Sequence, residues 1–133
     1  MIHASTTWKQ QFQFEGKGNE GIAVAMDGDG KTGNSPSQLV LIALCGCTAY
    51  DVVSILQKKR EPLTGLEVSA EAEKATDSPR VYTAIKLVYR ISGNVTRRAA
   101  EDAVRLSEQK YCSVSAMLSK TARITYEIQV DSQ

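Results

Sequence analysis

Residues 35–60 read SPSQLVLIALCGCTAYDVVSILQKKR, and this stretch carries the start and stop signals of one long α-helix. Ser35 is a typical N-cap residue, Pro36 suits the first helical position, and Gln38 stands where a capping box places its second partner. The cations of Lys58–Arg60 interact favourably with the C-terminal end of a helix dipole, and Pro62 cannot continue the helix. We therefore predict a helix that begins after Ser35 and ends near Lys58–Arg60.

The predicted helix is apolar on nearly every side. Between Leu39 and Leu56 its only charged residue is Asp51, and a helix that is hydrophobic all round must be covered all round. One small two-layer domain covers a single side, so we expect a second copy of the chain to cover the other and the protein to be a homodimer. On this basis Leu44→Lys should disrupt assembly or solubility. We expect no membrane span, because small and polar residues interrupt the apolar run repeatedly.

The remaining sequence alternates between strand and helix patterns. Five stretches show the period-two alternation of half-buried strands, namely residues 8–15, 22–26, 66–73, 81–91 and 122–130. A turn between the third and fourth stretches predicts a hairpin. A shorter helix capped by Thr96 and ending near Lys110 precedes the last strand, and Cys112 starts a further helical turn over residues 113–118. This order predicts a single α+β domain that spans residues 1–133.

Two glycine-containing motifs look like ligand sites but fit turns better. Gly16–Gly21 matches G-x-G-x-x-G, yet a strand pattern follows it, whereas a dinucleotide site needs a helix there. Asp27–Gly30 resembles the start of a calcium loop, but Gln38 occupies the position of the closing glutamate. We predict a turn at each motif and expect no cofactor.

Composition argues against several classes of protein. The 133 residues carry 16 lysines and arginines against 15 aspartates and glutamates, a formal net charge of +1, so no overall field attracts nucleic acid or an anionic membrane. The N-terminal residues form no apolar run of signal-peptide length, and three cysteines, an odd number, argue against a disulfide scaffold. We expect a cytoplasmic protein. His3 is the only histidine, and we expect no metal site.

Two cysteines are the candidate reactive residues. Cys47 lies inside the long apolar helix, whereas Cys112 lies in the phrase KYCSVSA, residues 110–116. Two thiols form a redox pair when one is oxidised to a sulfenic acid and the other condenses with it. A second interpretation stays open, in which both are buried structural cysteines. Cys45 lies about 200° from Cys47 around the helix, so we interpret it as a packing residue.

Three phrases of the chain resemble the OsmC/Ohr family, the osmotically inducible and organic hydroperoxide resistance proteins. They are SPSQL at 35–39, CGCTAYDVV at 45–53 and KYCSVS at 110–115, and they are most similar to the YhfA-like branch. The resemblance implies an intertwined homodimer with antiparallel sheets around a long central helix. It also implies a thiol peroxidase for small organic hydroperoxides, in which Cys47 attacks the peroxide and Cys112 resolves the sulfenic acid as a disulfide. An external dithiol would then reduce that disulfide.

The chain departs from the peroxidase pattern of this family at two positions. The similar peroxidases stabilise the thiolate with an arginine from an N-terminal loop and a partner glutamate, but here the first arginine is Arg60 and the glutamate position is Ser37. Lys17 or Lys31 is a candidate replacement cation, although lysine lacks the bidentate fork of arginine and each lysine fits a solvated turn residue better. The alternative function is therefore a non-catalytic dimer that binds a small hydrophobic or thiol-containing ligand.

The surroundings of the two thiols give two further predictions. Asp51 lies one turn after Cys47, and a buried carboxylate needs a partner, so we interpret it as a hydrogen-bond anchor to another element. Free backbone N–H groups at a helix start lower a thiol pKa, which favours Cys112 as the more acidic thiol. The family resemblance instead assigns the attack to Cys47.

Overall fold

The computed structural model describes residues 1–131. Two sheets and a long helix make up the α+β architecture that the sequence predicts. The strands are β1 Ser5–Gln10, β2 Gln13–Lys17, β3 Ala23–Asp27, β4 Leu63–Lys74, β5 Tyr82–Gly93 and β6 Arg123–Asp131, and the helices are α1 Pro36–Lys58, α2 Arg97–Leu106 and α3 Ser113–Leu118. The chain forms two compact units, the first over residues 1–42 and the second beginning at Ala43, and α1 begins in the first and continues into the second.

The first unit contains a three-stranded antiparallel sheet in the order β1-β2-β3. The prediction of one strand over residues 8–15 is wrong, because β1 and β2 form a hairpin whose turn holds Gln11 at a φ of 50°. Next to the turn Gln10 pairs with Gln13, and the register then shifts by one residue, so that Trp8 pairs with Phe14. Trp8 and Phe14 are separated by an even number of positions in the sequence. Cross-strand partners lie on the same face of a sheet. One period-two pattern therefore runs through both strands and conceals the turn.

The two glycine motifs form turns, as predicted. Between β2 and β3, the Gly21 N–H donates to the carbonyl oxygen of Gly18 at 3.1 Å. After β3, the Asp27 carboxylate accepts hydrogen bonds from the backbone N–H of Asp29 at 2.8 Å and from the N–H and hydroxyl of Thr32 at 3.0 and 2.9 Å. The Asp27 side chain thus stabilises the turn that follows β3.

The long helix α1 begins and ends where the sequence predicts. Ser35 Oγ accepts a hydrogen bond from the Gln38 N–H at 3.2 Å, and the helix ends at Lys58. Among residues 1–131, α1 is the one helix long and apolar enough to cross a membrane by length and composition alone, and 28% of its most apolar stretch is buried. Tyr50, near its middle, is 76% exposed. Much apolar surface of α1 is therefore left open by the chain itself.

The second unit contains a mixed sheet in the order β4-β5-β6. β4 and β5 form the predicted hairpin, with Val68 opposite Tyr89. β6 runs parallel to β5, with Tyr126 beside Leu87, so the prediction of antiparallel sheets is wrong for this strand. The helical segment between β5 and β6 returns the chain to the end of the sheet at which β5 begins. A connection between two parallel strands must do this.

The core of the second unit is built on β5 and two helices. Every second residue of the middle of β5 is at most 1% exposed, namely Ile85, Leu87, Tyr89 and Ile91. Residues spaced by four on α1 are fully buried, namely Leu44, Thr48, Val52 and Leu56. On α2 the buried residues are Ala100, Ala103 and Val104. Two polar side chains, Thr48 and Tyr89, thus occupy core positions.

A π-helical turn, Ser107–Tyr111, connects α2 to α3. The helix predicted to end near Lys110 therefore widens after Leu106, and the Cys112 N–H donates to the carbonyl oxygen of Ser107 at 2.8 Å. A π turn holds one residue more than an α turn and is frequent at functional sites. Cys112 follows this turn directly and is the N-cap of α3. The π turn thus sets the position of the thiol.

Candidate active site

The folded second unit brings the side chains of Cys47 and Cys112 together. Cys47 lies near enough to Cys112 to raise the pKa of the Cys112 thiol. Cys47 lies on α1 and is half-buried, whereas Cys112 caps α3 and is 3% exposed. All three cysteines are free thiols. Two residues far apart in the sequence are therefore placed as neighbours.

The environment of Cys112 favours the neutral thiol. Burial raises the pKa of Cys112 most, the neighbouring Cys47 and the charge of Glu108 raise it further, and the Ser115 N–H lowers it. That N–H lies 3.3 Å from Cys112 Sγ, so the predicted helix start exists. The expectation that it would lower the pKa of Cys112 is wrong, because the loss of solvent outweighs one backbone N–H.

Cys45 lies on the same helix as Cys47 and is half-buried. Burial raises the pKa of the Cys45 thiol above its ordinary value. A buried neutral thiol behaves as a small apolar side chain. This is consistent with the interpretation of Cys45 as a packing residue.

Three hydroxyl groups form a buried cluster beside the thiols. The Thr48 hydroxyl lies 2.7 Å from the Tyr89 hydroxyl and 2.7 Å from the Ser107 hydroxyl. They come from α1, β5 and the π turn, and all three residues have 0% exposure. The Tyr89 ring also meets the Tyr126 ring edge to face, with centroids 6.1 Å apart. The cluster therefore joins three elements of the second unit through polar contacts.

Glu108 extends this cluster toward Cys112. Its Oε2 accepts a hydrogen bond from the Tyr89 hydroxyl at 3.1 Å, and its Oε1 accepts one from the Ser115 hydroxyl at 2.7 Å. Ser115 is also the residue whose N–H meets Cys112. Burial is the largest cause of a raised pKa at Tyr89, and the charge of Glu108 adds to it. The Tyr89 hydroxyl therefore keeps its proton.

Asp51 closes the other end of the cluster. Its Oδ2 accepts a hydrogen bond from the Ser107 hydroxyl at 2.9 Å. The interpretation of Asp51 as an anchor between α1 and another element is confirmed.

Sequence reasoning missed the roles of Thr48, Tyr89, Ser107 and Glu108. One signal was available, since Tyr89 interrupts the alternating Ile and Leu of a core strand and Thr48 lies on the buried face of α1. A polar residue at a core position needs a partner. The hydrogen-bond partners themselves lie on other elements, so the sequence around Thr48 or Tyr89 does not indicate them.

The two candidate replacement cations lie in the first unit. Lys17 forms an ion pair with Glu15 at 3.8 Å, and Lys31 is an exposed residue of the turn after β3. The role of either lysine at the thiols stays a prediction. Within residues 1–131, no group of three or more His, Cys, Asp or Glu side chains is arranged to hold a metal ion.

Comparisons with known proteins agree with this architecture. Residues 28–127 match the OsmC-like protein family. Protein YhfA of Escherichia coli K12 is 40% identical over 131 residues, which covers 97% of this chain and 98% of that protein. The crystal structure of a hypothetical protein from Aquifex aeolicus superposes with a TM-score of 0.92 at 26% identity, covering 100% of this chain and 98% of the other.

A more distant match concerns the fold alone. The organic hydroperoxide resistance protein OhrB of Bacillus subtilis superposes with a TM-score of 0.70 at 14% identity and covers 97% of this chain and 98% of its own. With the family match spanning most of the chain and YhfA aligned over nearly its whole length, the protein belongs to the OsmC family.

Proposed function

We propose that the protein is a thiol peroxidase that reduces small organic hydroperoxides through Cys47 and Cys112. The observation that carries this proposal is the proximity of these two free thiols, which is close enough for Cys47 to raise the pKa of Cys112. A sulfenic acid on one sulfur would meet the other thiol without a large rearrangement. The membership of the OsmC family supports the same reaction class.

The proposed cycle has two chemical steps. In the first, the Cys47 sulfur attacks the distal peroxide oxygen, the O–O bond breaks, and the thiol proton ends on the alcohol product. In the second, Cys112 attacks the Cys47 sulfenic acid, an S–S bond replaces the S–O bond, and water leaves. An external dithiol then reduces the disulfide by exchange and returns both thiols.

The division of roles follows from the proton on Cys112. Its raised pKa, caused first by burial and then by the neighbouring Cys47, describes a thiol that keeps its hydrogen in the resting state. A thiol in this form is a hydrogen-bond donor to the neighbouring sulfur, and the thiolate is the attacking species in peroxide reduction. We therefore assign the attack to Cys47 and the resolving step to Cys112.

The experiment compares single-cysteine variants of the purified, reduced protein. One equivalent of cumene hydroperoxide should consume two thiols and link Cys47 to Cys112, faster than the same dose of hydrogen peroxide. Cys47→Ser should abolish turnover, whereas Cys112→Ser should stop at a sulfenic acid on Cys47 that dimedone traps. Cys45→Ser is the matched control on the same helix and should retain turnover. A sulfenic acid trapped on Cys112 at the wild-type rate would reverse the two roles.

A second candidate function is supported by the sequence departures. The chain has no arginine before Arg60, and Ser37 occupies the glutamate position. An OsmC-like dimer in which no arginine and glutamate stabilise the thiolate would bind a small hydrophobic or thiol-containing ligand and leave it unchanged. If neither Cys47 nor Cys112 reacts with cumene hydroperoxide faster than free cysteine, this binding function replaces the peroxidase.

A further inference from the structure

A closed ring of polar contacts connects the helix of Cys47 to Cys112, and it begins and ends at Thr48, the residue that follows Cys47 on α1. In one half of the ring, the Thr48 hydroxyl lies 2.7 Å from the Ser107 hydroxyl. The carbonyl oxygen of Ser107 accepts a hydrogen bond from the Cys112 N–H at 2.8 Å. In the other half, the Thr48 hydroxyl lies 2.7 Å from the Tyr89 hydroxyl. Both halves therefore start from the same turn of α1 that carries Cys47.

Glu108 completes the second half of the ring. Its Oε2 accepts a hydrogen bond from the Tyr89 hydroxyl at 3.1 Å, and its Oε1 accepts one from the Ser115 hydroxyl at 2.7 Å. The Ser115 backbone N–H then donates to Cys112 Sγ at 3.3 Å. The ring thus reaches Cys112 at two points, its backbone N–H and its sulfur.

The two points of contact have different effects on Cys112. The hydrogen bond to Ser107 holds the backbone of Cys112, but rotation about χ1 still moves the sulfur between rotamers. The Ser115 N–H meets the sulfur itself, and Ser115 is held in turn by Glu108. A carboxylate has two acceptor oxygens, and Glu108 uses one for each hydroxyl that it binds. Glu108 therefore connects the sulfur of Cys112 to the buried Tyr89.

We propose that Glu108 is a positioning residue that holds the Cys112 sulfur beside Cys47 through Ser115. Neither contact of Glu108 involves a sulfur atom, so both can persist when the two thiols are oxidised to a disulfide. Fixed placement raises the effective concentration of one sulfur at the other. The positioning role does not depend on the proposed peroxidase function, whereas its contribution to turnover rests on that function.

The charge of Glu108 gives a different expectation from its contacts. Burial is the largest cause of the raised pKa of Cys112, and the charge of Glu108 is a smaller one. Glu108→Asp keeps the charge, but its side chain is one methylene shorter and cannot bind the Tyr89 and Ser115 hydroxyls together. The positioning role therefore predicts that Glu108→Asp behaves like Glu108→Gln, whereas an effect of charge alone predicts that it behaves like the unaltered protein.

Equilibration of the purified protein with glutathione tests the positioning role without any hydroperoxide. Glutathione disulfide oxidises the thiol pair by exchange, two glutathione thiols are released, and mass spectrometry after acid quenching measures the Cys47–Cys112 disulfide. Glu108→Gln keeps one acceptor oxygen, and we expect it to lower the equilibrium constant for this disulfide by roughly tenfold, or about 30 mV. Glu108→Asp should lower it as much. Glu101→Gln, which removes an exposed carboxylate of α2, is the control and should leave the constant unchanged.

Ser115→Ala removes the same contact from the other side and keeps the backbone N–H. It should lower the equilibrium constant by a similar factor, and the double variant with Glu108→Gln should lower it no further, because both changes remove one shared contact. If Glu108→Gln fails to fold, Ser115→Ala decides the matter. An unchanged constant in either single variant would overturn the positioning role. A lowered constant in Glu108→Gln that returns to normal in Glu108→Asp would also overturn it, since charge alone would then explain the effect.

Hydroperoxide kinetics test the contribution to turnover. After one addition of cumene hydroperoxide, Glu108→Gln should form the Cys47 sulfenic acid at the unaltered rate. It should slow the following disulfide step by roughly 10²-fold, the effect of a misplacement of about 1 Å. An unslowed disulfide step in this variant would remove the contribution to turnover. A lowered glutathione equilibrium constant in Glu108→Gln, with no peroxide reactivity in the unaltered protein, would refute the proposed function and leave the positioning role established.

Discussion

At the scale of single residues, Cys112 shows how burial competes with a helix start. The Ser115 N–H stabilises a thiolate on this sulfur, but loss of solvent, the neighbouring Cys47 and the Glu108 charge all favour the neutral thiol. The net effect is a raised pKa. In the proposed peroxidase cycle, a resolving thiol that keeps its proton would stay unreactive until the sulfenic acid forms beside it.

The raised pKa of Cys112 predicts an unusual pH dependence of alkylation. The reaction rate with iodoacetamide follows the thiolate fraction, so in the folded protein it should keep rising above pH ~8.5, where an ordinary thiol begins to level off. Pulsed alkylation followed by mass spectrometry of the Cys112 peptide measures this rate. The same protein unfolded in urea is the control. Levelling off at the same pH in both states would contradict the raised pKa.

Tyr89 provides a second test at this scale. Burial raises its pKa, so the folded state holds Tyr89 neutral at pH values where the unfolded state ionises it. At about pH 11, one unit above the ordinary tyrosine pKa, Tyr89 should therefore lower the tyrosinate absorbance of the folded protein relative to the unfolded protein by about 0.9 equivalent. Tyr89→Phe should remove this difference. If the difference persists in Tyr89→Phe, another tyrosine is responsible.

At the scale of elements, the helices and hairpins that can be predicted are those specified by residues close together in the sequence. The start of α1 depends on Ser35 and its neighbours in sequence, and the hairpin of β4 and β5 depends on alternation and an intervening turn. The parallel direction of β6 has no local signal, because it depends on the path of the connecting helices. The contact of Thr48 with Tyr89 and Ser107 joins residues 41 and 59 positions apart. Secondary-structure propensity and residue spacing along the chain therefore do not predict such contacts.

The π turn at Ser107–Tyr111 has no local sequence signal that distinguishes it from an α-helix. Both geometries use the same residue types, and only the extra residue between Ser107 and Cys112 separates them. The turn also carries Glu108 and directly precedes the N-cap of α3. Its geometry therefore positions both the Cys112 thiol and the Glu108 carboxylate.

Deleting Gln109, an exposed residue of this turn, should convert it to an ordinary α turn. The deletion shortens the path to Cys112 by one residue and rotates the thiol by about 100° around the helix. We expect a folded protein, checked by circular dichroism, that no longer forms the Cys47–Cys112 disulfide with cumene hydroperoxide. Gln109→Ala is the matched control and should form it normally. A deletion variant with wild-type disulfide yield would show that the π turn has no part in placing Cys112.

At the scale of the whole molecule, the exposed surface of α1 is the feature that needs explanation. The helix was expected to be covered on one side by its own domain and on the other by a second copy. Leu44 is fully buried within the chain, so the expected effect of Leu44→Lys would arise from lost folding and would say little about assembly. Tyr50, 76% exposed on the same helix, is the better probe.

Tyr50 lines an apolar groove of about 620 Å³ together with Leu63 and Leu66. Large exposed apolar surface on a small domain favours association, and tyrosine is enriched among residues that dominate binding energy. If the protein is a homodimer through α1, Tyr50→Lys should raise the dimer dissociation constant by at least about 30-fold, or ~2 kcal/mol. Size-exclusion chromatography with light scattering over a dilution series measures this constant. Val81→Lys, which charges an exposed apolar residue before β5, is the control and should leave it unchanged. A well-folded monomer of the unaltered protein at micromolar concentration would show that α1 is not covered by a second copy.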